Sequence, residues 1–324
     1  MLADYTTLHL GGPAGTFVEA TTDDELVAAI RAAGNDEVLL IAGGSNLVVA
    51  DDGFPGTVVR IATRGVERDG DVLHVAAGEP WDDLVAGAVE QGLSGIECLS
   101  GIPGSVGATP IQNVGAYGQE VSDTIINVRA YDRHTGKVVD LPPGACGFTY
   151  RDSRFKHDPA HHVVLRVSFR LKAGDRARPI RYPELARAVG TDEPSLGQVR
   201  DAVLALRRGK GMVLDPDDPD TRSAGSFFTN PILTPDRLPA GAPAFAQADG
   251  RVKTSAAWLI QDAGFTKGYG NPDGIAISTK HVLALTNRGR GTTAELARLA
   301  REIQDRVEAR TGIRLVPEPV FVRT

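Results

Sequence analysis

The sequence is that of an α+β protein with more than one core, and three observations carry that reading. At 324 residues the chain is long enough for two or three domains. Helix-period stripes and strand-like runs occur together along its whole length. Two glycine-rich stretches, 43–47 and 101–118, suit neither a helix interior nor a central strand, because glycine carries a high backbone entropy cost and proline lacks a donor.

In chain order, a turn-rich entry at 5–12 precedes Thr22-Asp-Asp-Glu25, which caps a helix with apolar positions Leu26, Ala29, Ile30 and Ala33. Gly34 ends it. Residues 37–42 read as a buried strand running into Gly43-Gly-Ser-Asn, and 57–61 as a second strand. A strand at 72–76 leads to a helix opened by Pro80, with Leu84, Val85, Ala88 and Val89 inward and Gly92 as its stop. The runs 125–131, 137–141 and 163–171 are strand-like, the last presenting Val164, Arg166, Ser168 and Arg170 on one face.

Residues 148–156 read as a solvated turn with a local ion pair, and helical segments follow from Tyr182-Pro183 and across 198–208. The acidic run 215–220 reads as an exposed, proline-stiffened linker. It is no EF-hand loop, since Asp220 and Ser226 stand where glycine and glutamate are needed. In the last third, Ser223-Ala-Gly-Ser226 turns into the core pair Phe227 and Phe228. A helix at 255–263 ends at Gly264, strands are expected at 275–278 and 282–286, and Thr292 opens a long helix with the stripe Leu296, Leu299, Ile303 and Val307. Glu318, between Pro317 and Pro319, is held on a stiff extended segment outside any regular ladder.

Composition narrows the function. Hydrophobic content of 42% and charged content of 23% are ordinary globular values. No apolar run reaches the roughly 18 residues that span a bilayer, and the opening Met1-Leu-Ala-Asp-Tyr-Thr6 has no signal-peptide character, so a cytoplasmic protein without a membrane partner is expected. The net charge of -6, with basic residues scattered among acidic ones, argues against a nucleic-acid partner. Cys98 and Cys146 form no CxxC pair; buried free thiols and no metal site are expected.

The two glycine-rich stretches carry the chemistry. Without side chains at Gly101, Gly104 and Gly107, backbone amides can approach a ligand closely and make a concave anion site suited to phosphate. Ile102, Val106, Ile111 and Val114 should pack this loop inward. The 43–46 turn has neither the GxGxxG pattern nor a Walker sequence, and by itself would be a tight hairpin turn. Paired with 101–118 it offers a second set of amides and hydroxyls for a long, doubly phosphorylated cofactor.

Six motifs in order, Gly43-Gly-Ser-Asn, Gly101-Ile-Pro-Gly-Ser-Val-Gly, Pro110-Ile-Gln-Asn-Val-Gly-Ala-Tyr-Gly, Tyr150-Arg-Asp-Ser, Ala224-Gly-Ser-Phe-Phe-Thr-Asn-Pro and Pro317-Glu-Pro, span nearly the whole chain. Together they resemble the UDP-N-acetylenolpyruvoylglucosamine reductase (MurB) family. The resemblance implies an FAD-binding fold of the vanillyl-alcohol oxidase type, made of two α+β subdomains at 1–65 and 66–205, plus a C-terminal α+β substrate-binding domain at 206–324. It implies noncovalent FAD, NADPH as co-substrate, and a UDP-sugar substrate whose enolpyruvyl group is reduced in peptidoglycan synthesis by a monomeric enzyme.

By the same resemblance, FAD contacts fall on Gly43, Gly44, Ser45, Asn46 and Leu47, and on Gly101, Pro103, Gly104, Ser105, Gly107, Ala108, Thr109, Ile111 and Gly115. Arg151, Ser226 and Glu318 match the family's reactive trio. Arg151 suits a carboxylate whose charge grows, Ser226 a proton donor, and Glu318 a second electrostatic group, protonated or sharing a proton. Tyr150, Tyr182, Lys210, Asn230 and Lys267 match substrate positions, Tyr182 on an inserted loop between about 172 and 222 that marks a subgroup. Where some members carry tyrosine and glutamine, this chain has Phe245 and His281, which removes a phenolic hydrogen bond. The alternatives are a flavin oxidase or dehydrogenase acting on another substrate, and a noncatalytic sugar-nucleotide or flavin-binding module. The oxidases of this fold often tether FAD through His or Cys, and neither occurs in 41–47 or 101–118. Retention of all three reactive residue types argues against the module.

Overall fold

Chain contacts in the computed structural model, which describes residues 1–34 and 36–324, divide the protein into two compact units. One comprises Gly15–Gly43 and Pro55–Gly209; the other comprises Met1–Ala14, Gly44–Phe54 and Lys210–Thr324.

The first unit is organised by a five-stranded antiparallel sheet in the order Lys137–Leu141, Ile125–Asp132, His162–Arg170, Val72–Ala76 and Val66–Asp69. His162–Arg170 is central and buried almost throughout. Its expected single face of Val164, Arg166, Ser168 and Arg170 is broken. A register shift sets Arg129 opposite Arg166 but Ala130 opposite Val164, leaving Leu165 as an extra residue. Such a bulge flips the alternation. Val164 therefore joins Val167 and Phe169 in one core, while Val163 and Leu165 join the other.

The larger core packs the helix Trp81–Glu90 on the sheet, with Trp81 and Phe169 ring centroids 5.8 Å apart. Val106 is fully buried there, and Ile102, Ile111 and Val114 pack against it, so the glycine-rich loop folds inward as its apolar residues dictate. The smaller core is built on Asp23–Ala32, whose Thr22 and Glu25 form a capping box, and on a three-stranded sheet of Ala14–Ala20, Phe54–Ile61 and Val38–Ile41. Val38–Ile41 runs parallel to its neighbour and ends at the Gly43 loop. The inserted segment contributes Pro183–Val189 and Leu196–Arg208, packed through Leu185, Val199 and Val203 around Cys98.

In the second unit the helix Thr293–Thr311 buries Leu296, Leu299, Ile303 and Val307 against Ala256–Asp262, the hairpin Ile275–Ile277 with Leu285–Asn287, and the pair Phe227 and Phe228. The strand expected from 282 begins only at Leu285, because the Ala284 N–H closes a turn onto the His281 carbonyl. The 43–46 turn is not a hairpin. It delivers Leu47–Val49 into a parallel pairing with Val320–Val322, which ties 44–54 to the end of the chain.

The acidic run is not a uniformly exposed linker either. Asp220 is only 3% exposed. Its carboxylate accepts from the Thr279 N–H and hydroxyl at 2.9 and 2.5 Å and from Arg288 at 2.8 Å. A buried carboxylate needs such donors, and here the run acts as an internal anchor. Among the described residues no helix is long and apolar enough to cross a membrane.

Candidate active site

Within the first unit the two glycine-rich stretches meet. A β-carbon placed on Gly43 would lie 2.7 Å from Gly104 Cα. One on Gly107 would lie 2.5 Å from the Ala77 β-carbon. Only glycine permits these approaches, and Gly101 and Gly104 also adopt φ of 70° and 122°, values that L side chains rarely take. The loop is pinned by Trp81 N–H to the Gly104 carbonyl, Val106 N–H to Glu79 and Gly107 N–H to Ala77. Its start is tied by Asp82, which accepts the Gly101 N–H at 2.5 Å and a two-pronged contact from Arg200 at 2.6 and 2.9 Å. Desolvation raises the Asp82 pKa, but Arg200 and the Gly101 amide outweigh it and leave the carboxyl below its ordinary value.

The consequence is a group of backbone donors left over by the loop's own hydrogen bonds. The N–H groups of Gly43, Ile102, Gly104 and Ser105 take no hydrogen-bond partner among the described residues. Successive amides of this kind form an anion nest. These residues therefore fit the diphosphate of FAD. The other expected positions divide by role. The Thr109 hydroxyl is spent on the Val106 carbonyl at 2.8 Å, Ile111 offers its carbonyl to Ser153 at 2.6 Å, and Ala108 is exposed. Pro103 is half-buried. Gly44, with Ser45, Asn46 and Leu47, belongs to the second unit, where Gly44 at φ 56° sits tightly against the Tyr5 carbonyl.

Arg151 has φ 54° within a two-residue turn closed by Thr149 and Asp152. Its guanidinium donates to the Gly115 carbonyl at 2.5 Å and the Asn113 carbonyl at 3.5 Å and lies 5.3 Å from the Tyr150 ring centre. The turn is anchored by Asn113, whose amide donates to Glu120 at 2.8 Å and to the Thr149 carbonyl at 3.1 Å. Asn113, inside the Pro110–Gly118 motif, is a positioning residue that the sequence reading quoted but gave no role. The local ion partner of Asp152 is His157, at 2.7 Å.

In the second unit, Phe228 and Pro317 form an isolated antiparallel bridge, with the Glu318 N–H donating to Phe227 and the Thr229 N–H to Val316. This short pairing holds the Ser226 and Glu318 segments side by side, although 92 positions apart by number. The Ser226 hydroxyl takes no partner among the described residues. Asn46 donates to the Glu318 carbonyl at 3.4 Å, joining the first glycine-rich stretch to the same segment.

Tyr182 is 42% exposed, heads the helix Pro183–Val189, and makes an edge contact with Tyr117 at 5.3 Å. Burial pushes the Tyr117 hydroxyl up to about 12. Asn230 uses its side-chain oxygen to receive the Ala256 N–H at 2.9 Å, so that atom supports a helix start. Lys210 and His281 are half-buried, Lys267 is exposed, and Phe245 is 55% exposed.

Fold and loops define a protein of the FAD-binding class, and residues 14–142 match the family model described as FAD binding domain. Residues 217–322 match the model described as UDP-N-acetylenolpyruvoylglucosamine reductase, C-terminal domain. The chain is 57% identical to the UDP-N-acetylenolpyruvoylglucosamine reductase of Streptomyces avermitilis, covering 99% of this chain and 93% of that one. It is 54% identical to the Thermobifida fusca reductase, covering 99% and 96%. The solved reductase from Thermus caldophilus superposes with a TM-score of 0.70 at 28% identity, covering 99% and 97%. The chain belongs to the UDP-N-acetylenolpyruvoylglucosamine reductase family.

Proposed function

We propose that this protein is the NADPH-dependent flavoprotein that reduces the enolpyruvyl group of UDP-N-acetyl-3-O-(1-carboxyvinyl)-glucosamine to give UDP-N-acetylmuramate for peptidoglycan synthesis. The carrying observation is the match over 99% of the chain to reductases of that name at 57% identity. Bound FAD would supply the hydride, taken from NADPH and given to the terminal methylene carbon of the enol ether.

The chain's own residues have three tasks. Hydride addition leaves negative charge on the carbon between the ether oxygen and the carboxylate, delocalised into the carboxylate. Arg151, permanently cationic, binds that carboxylate and gains attraction as its charge grows. Ser226 donates its hydroxyl proton to the carbanionic carbon. Glu318, carried opposite the Ser226 segment, is the second electrostatic group, neutral or sharing a proton when the substrate charge develops.

The amides of Gly43, Ile102, Gly104 and Ser105 hold the cofactor's phosphates, within subdomains 1–65 and 66–205 that carry the flavin while 206–324 carries the sugar nucleotide. Tyr150, Tyr182, Lys210, Asn230 and Lys267 contact the sugar nucleotide. The enzyme acts as a cytoplasmic monomer, with no nucleic-acid or membrane partner. The test is a pair of anaerobic half-reactions. Purified protein should lose its yellow colour with NADPH and regain it on adding the enolpyruvyl sugar nucleotide; rapid recolouring by oxygen but not by that substrate would overturn the assignment.

A further inference from the structure

A cluster of histidines and carboxylates in the first unit lies outside every residue used above. The Ile125–Asp132 strand ends with Asp132 directly opposite His162, the first residue of His162–Arg170. Adjacent residues of a strand point to opposite faces. His161 precedes the strand, however, and its ring lies against that of His162 with centroids 3.8 Å apart. One donor atom from each of Asp132, His161 and His162 lies within 4.8 Å of the other two.

The donors are held in place before any ion arrives. Asp132 Oδ1 accepts the N–H groups of His134 and Thr135 at 2.8 and 3.0 Å, which fixes the carboxylate plane. His161 Nε2 is 3.2 Å from Asp132 Oδ1, and its Nδ1 is 3.5 Å from Asp158 Oδ2. Donors bound to a tetrahedral ion at about 2.0–2.1 Å stand roughly 3.3 Å apart, close to that first separation. An imidazole that ligates through one nitrogen while the other faces a carboxylate is the usual outer support of a metal-bound histidine. His134 covers the other side of the His161 ring at 4.0 Å.

We propose that Asp132, His161 and His162 form a binding site for a borderline divalent transition metal such as Zn2+, with Asp158 as the positioning residue for His161 and water completing the coordination. Two imidazoles with one carboxylate favour such an ion over Ca2+ or Mg2+, which take oxygen ligands. The ion joins the end of one central strand to the start of its neighbour, a cross-link separate from the glycine-rich loops and the reactive trio.

The test uses untagged, full-length protein stripped with chelator and then titrated with zinc chloride in a calorimeter, with Co2+ as a spectroscopic probe. One equivalent should bind, Co2+ should give the intense visible bands of tetrahedral coordination, and zinc should raise the melting temperature. His161→Ala and His162→Ala should abolish all three signals. Asp158→Asn, a half-exposed change that leaves the three ligands in place, should weaken binding by roughly 10–100-fold. No zinc binding by the wild-type protein, or undiminished binding in Asp158→Asn and in either folded histidine variant, overturns the proposal.

Discussion

Replacing Gly43 by alanine tests the meeting of the two glycine-rich stretches. The added carbon would lie 2.7 Å from Gly104 Cα and 3.2 Å from its carbonyl carbon, where ordinary contact begins at 3.4 Å. The obstruction is backbone, so no side-chain rotation relieves it. Gly104 is itself tied to Trp81 at 3.0 Å, and the neighbouring Val106 amide to Glu79 at 2.9 Å. The loops must separate, and overpacking of this kind costs about 1–3 kcal/mol. Drawn from the geometry of the amide nest, that cost corresponds to FAD binding weakened roughly 5–150-fold. Fluorescence titration of flavin-free protein measures it, with urea unfolding run in parallel. Gly144→Ala is the control, because its added carbon meets nothing within 4 Å and it lies in the short helix Pro143–Cys146. A folded Gly43→Ala protein that binds FAD within twofold of wild type would refute the reasoning, whatever its stability.

Ser226→Ala should leave reduction by NADPH nearly intact and slow reoxidation by the enolpyruvyl substrate by about 10²–10⁴-fold, read by anaerobic stopped flow; equal damage to both halves removes Ser226 from the proton-donor role. Arg151→Lys should lose most turnover, because an ammonium cannot present the planar fork, and wild-type rates in that variant would show that one point charge suffices. Asp220→Asn should cost about 3–5 kcal/mol in denaturant unfolding, since it strands Arg288, which is 13% exposed in its side chain; an unchanged midpoint counts against the anchor. Desolvation raises the Asp220 pKa, but the hydrogen bonds from Thr279 and Ser278 and the charge of Arg288 outweigh it and leave it lowered. Its stabilisation is thus present above the unfolded value of about 3.9 and lost as pH falls through the lower folded value. The wild-type stability curve should drop there more steeply than that of Asp220→Asn. Burial pushes the Cys98 and Cys146 thiols up to about 12 and about 11, so neither should react with iodoacetamide at neutral pH until the protein is unfolded. Rapid native labelling would show that they open.

Elements whose signals are local could be read directly. The Thr22 to Glu25 capping box, the Thr293–Thr311 stripe and the Lys137–Leu141 strand follow from side-chain chemistry within a few residues. The inward packing of the 101–118 loop was also legible, because Val106 and its apolar neighbours have no other way to leave water. The broken alternation of His162–Arg170 was not. A bulge is set by the register of a partner strand, and nothing in residues 162–170 alone records which pair is skipped. Asp220 looked like linker for a similar reason, as its donors come from Thr279 and Arg288, far along the chain.

The family and the glycine positions that allow close backbone approach were legible without coordinates, because both depend on residue type in short windows. Long-range folding set the pairing of Leu47–Val49 with Val320–Val322, the side-by-side course of the Ser226 and Glu318 segments, and the close approach of Gly43 to Gly104. Those juxtapositions arise from hydrogen-bond partners and packed surfaces supplied by distant parts of the chain. Their free energy exists only once the loops between them have closed.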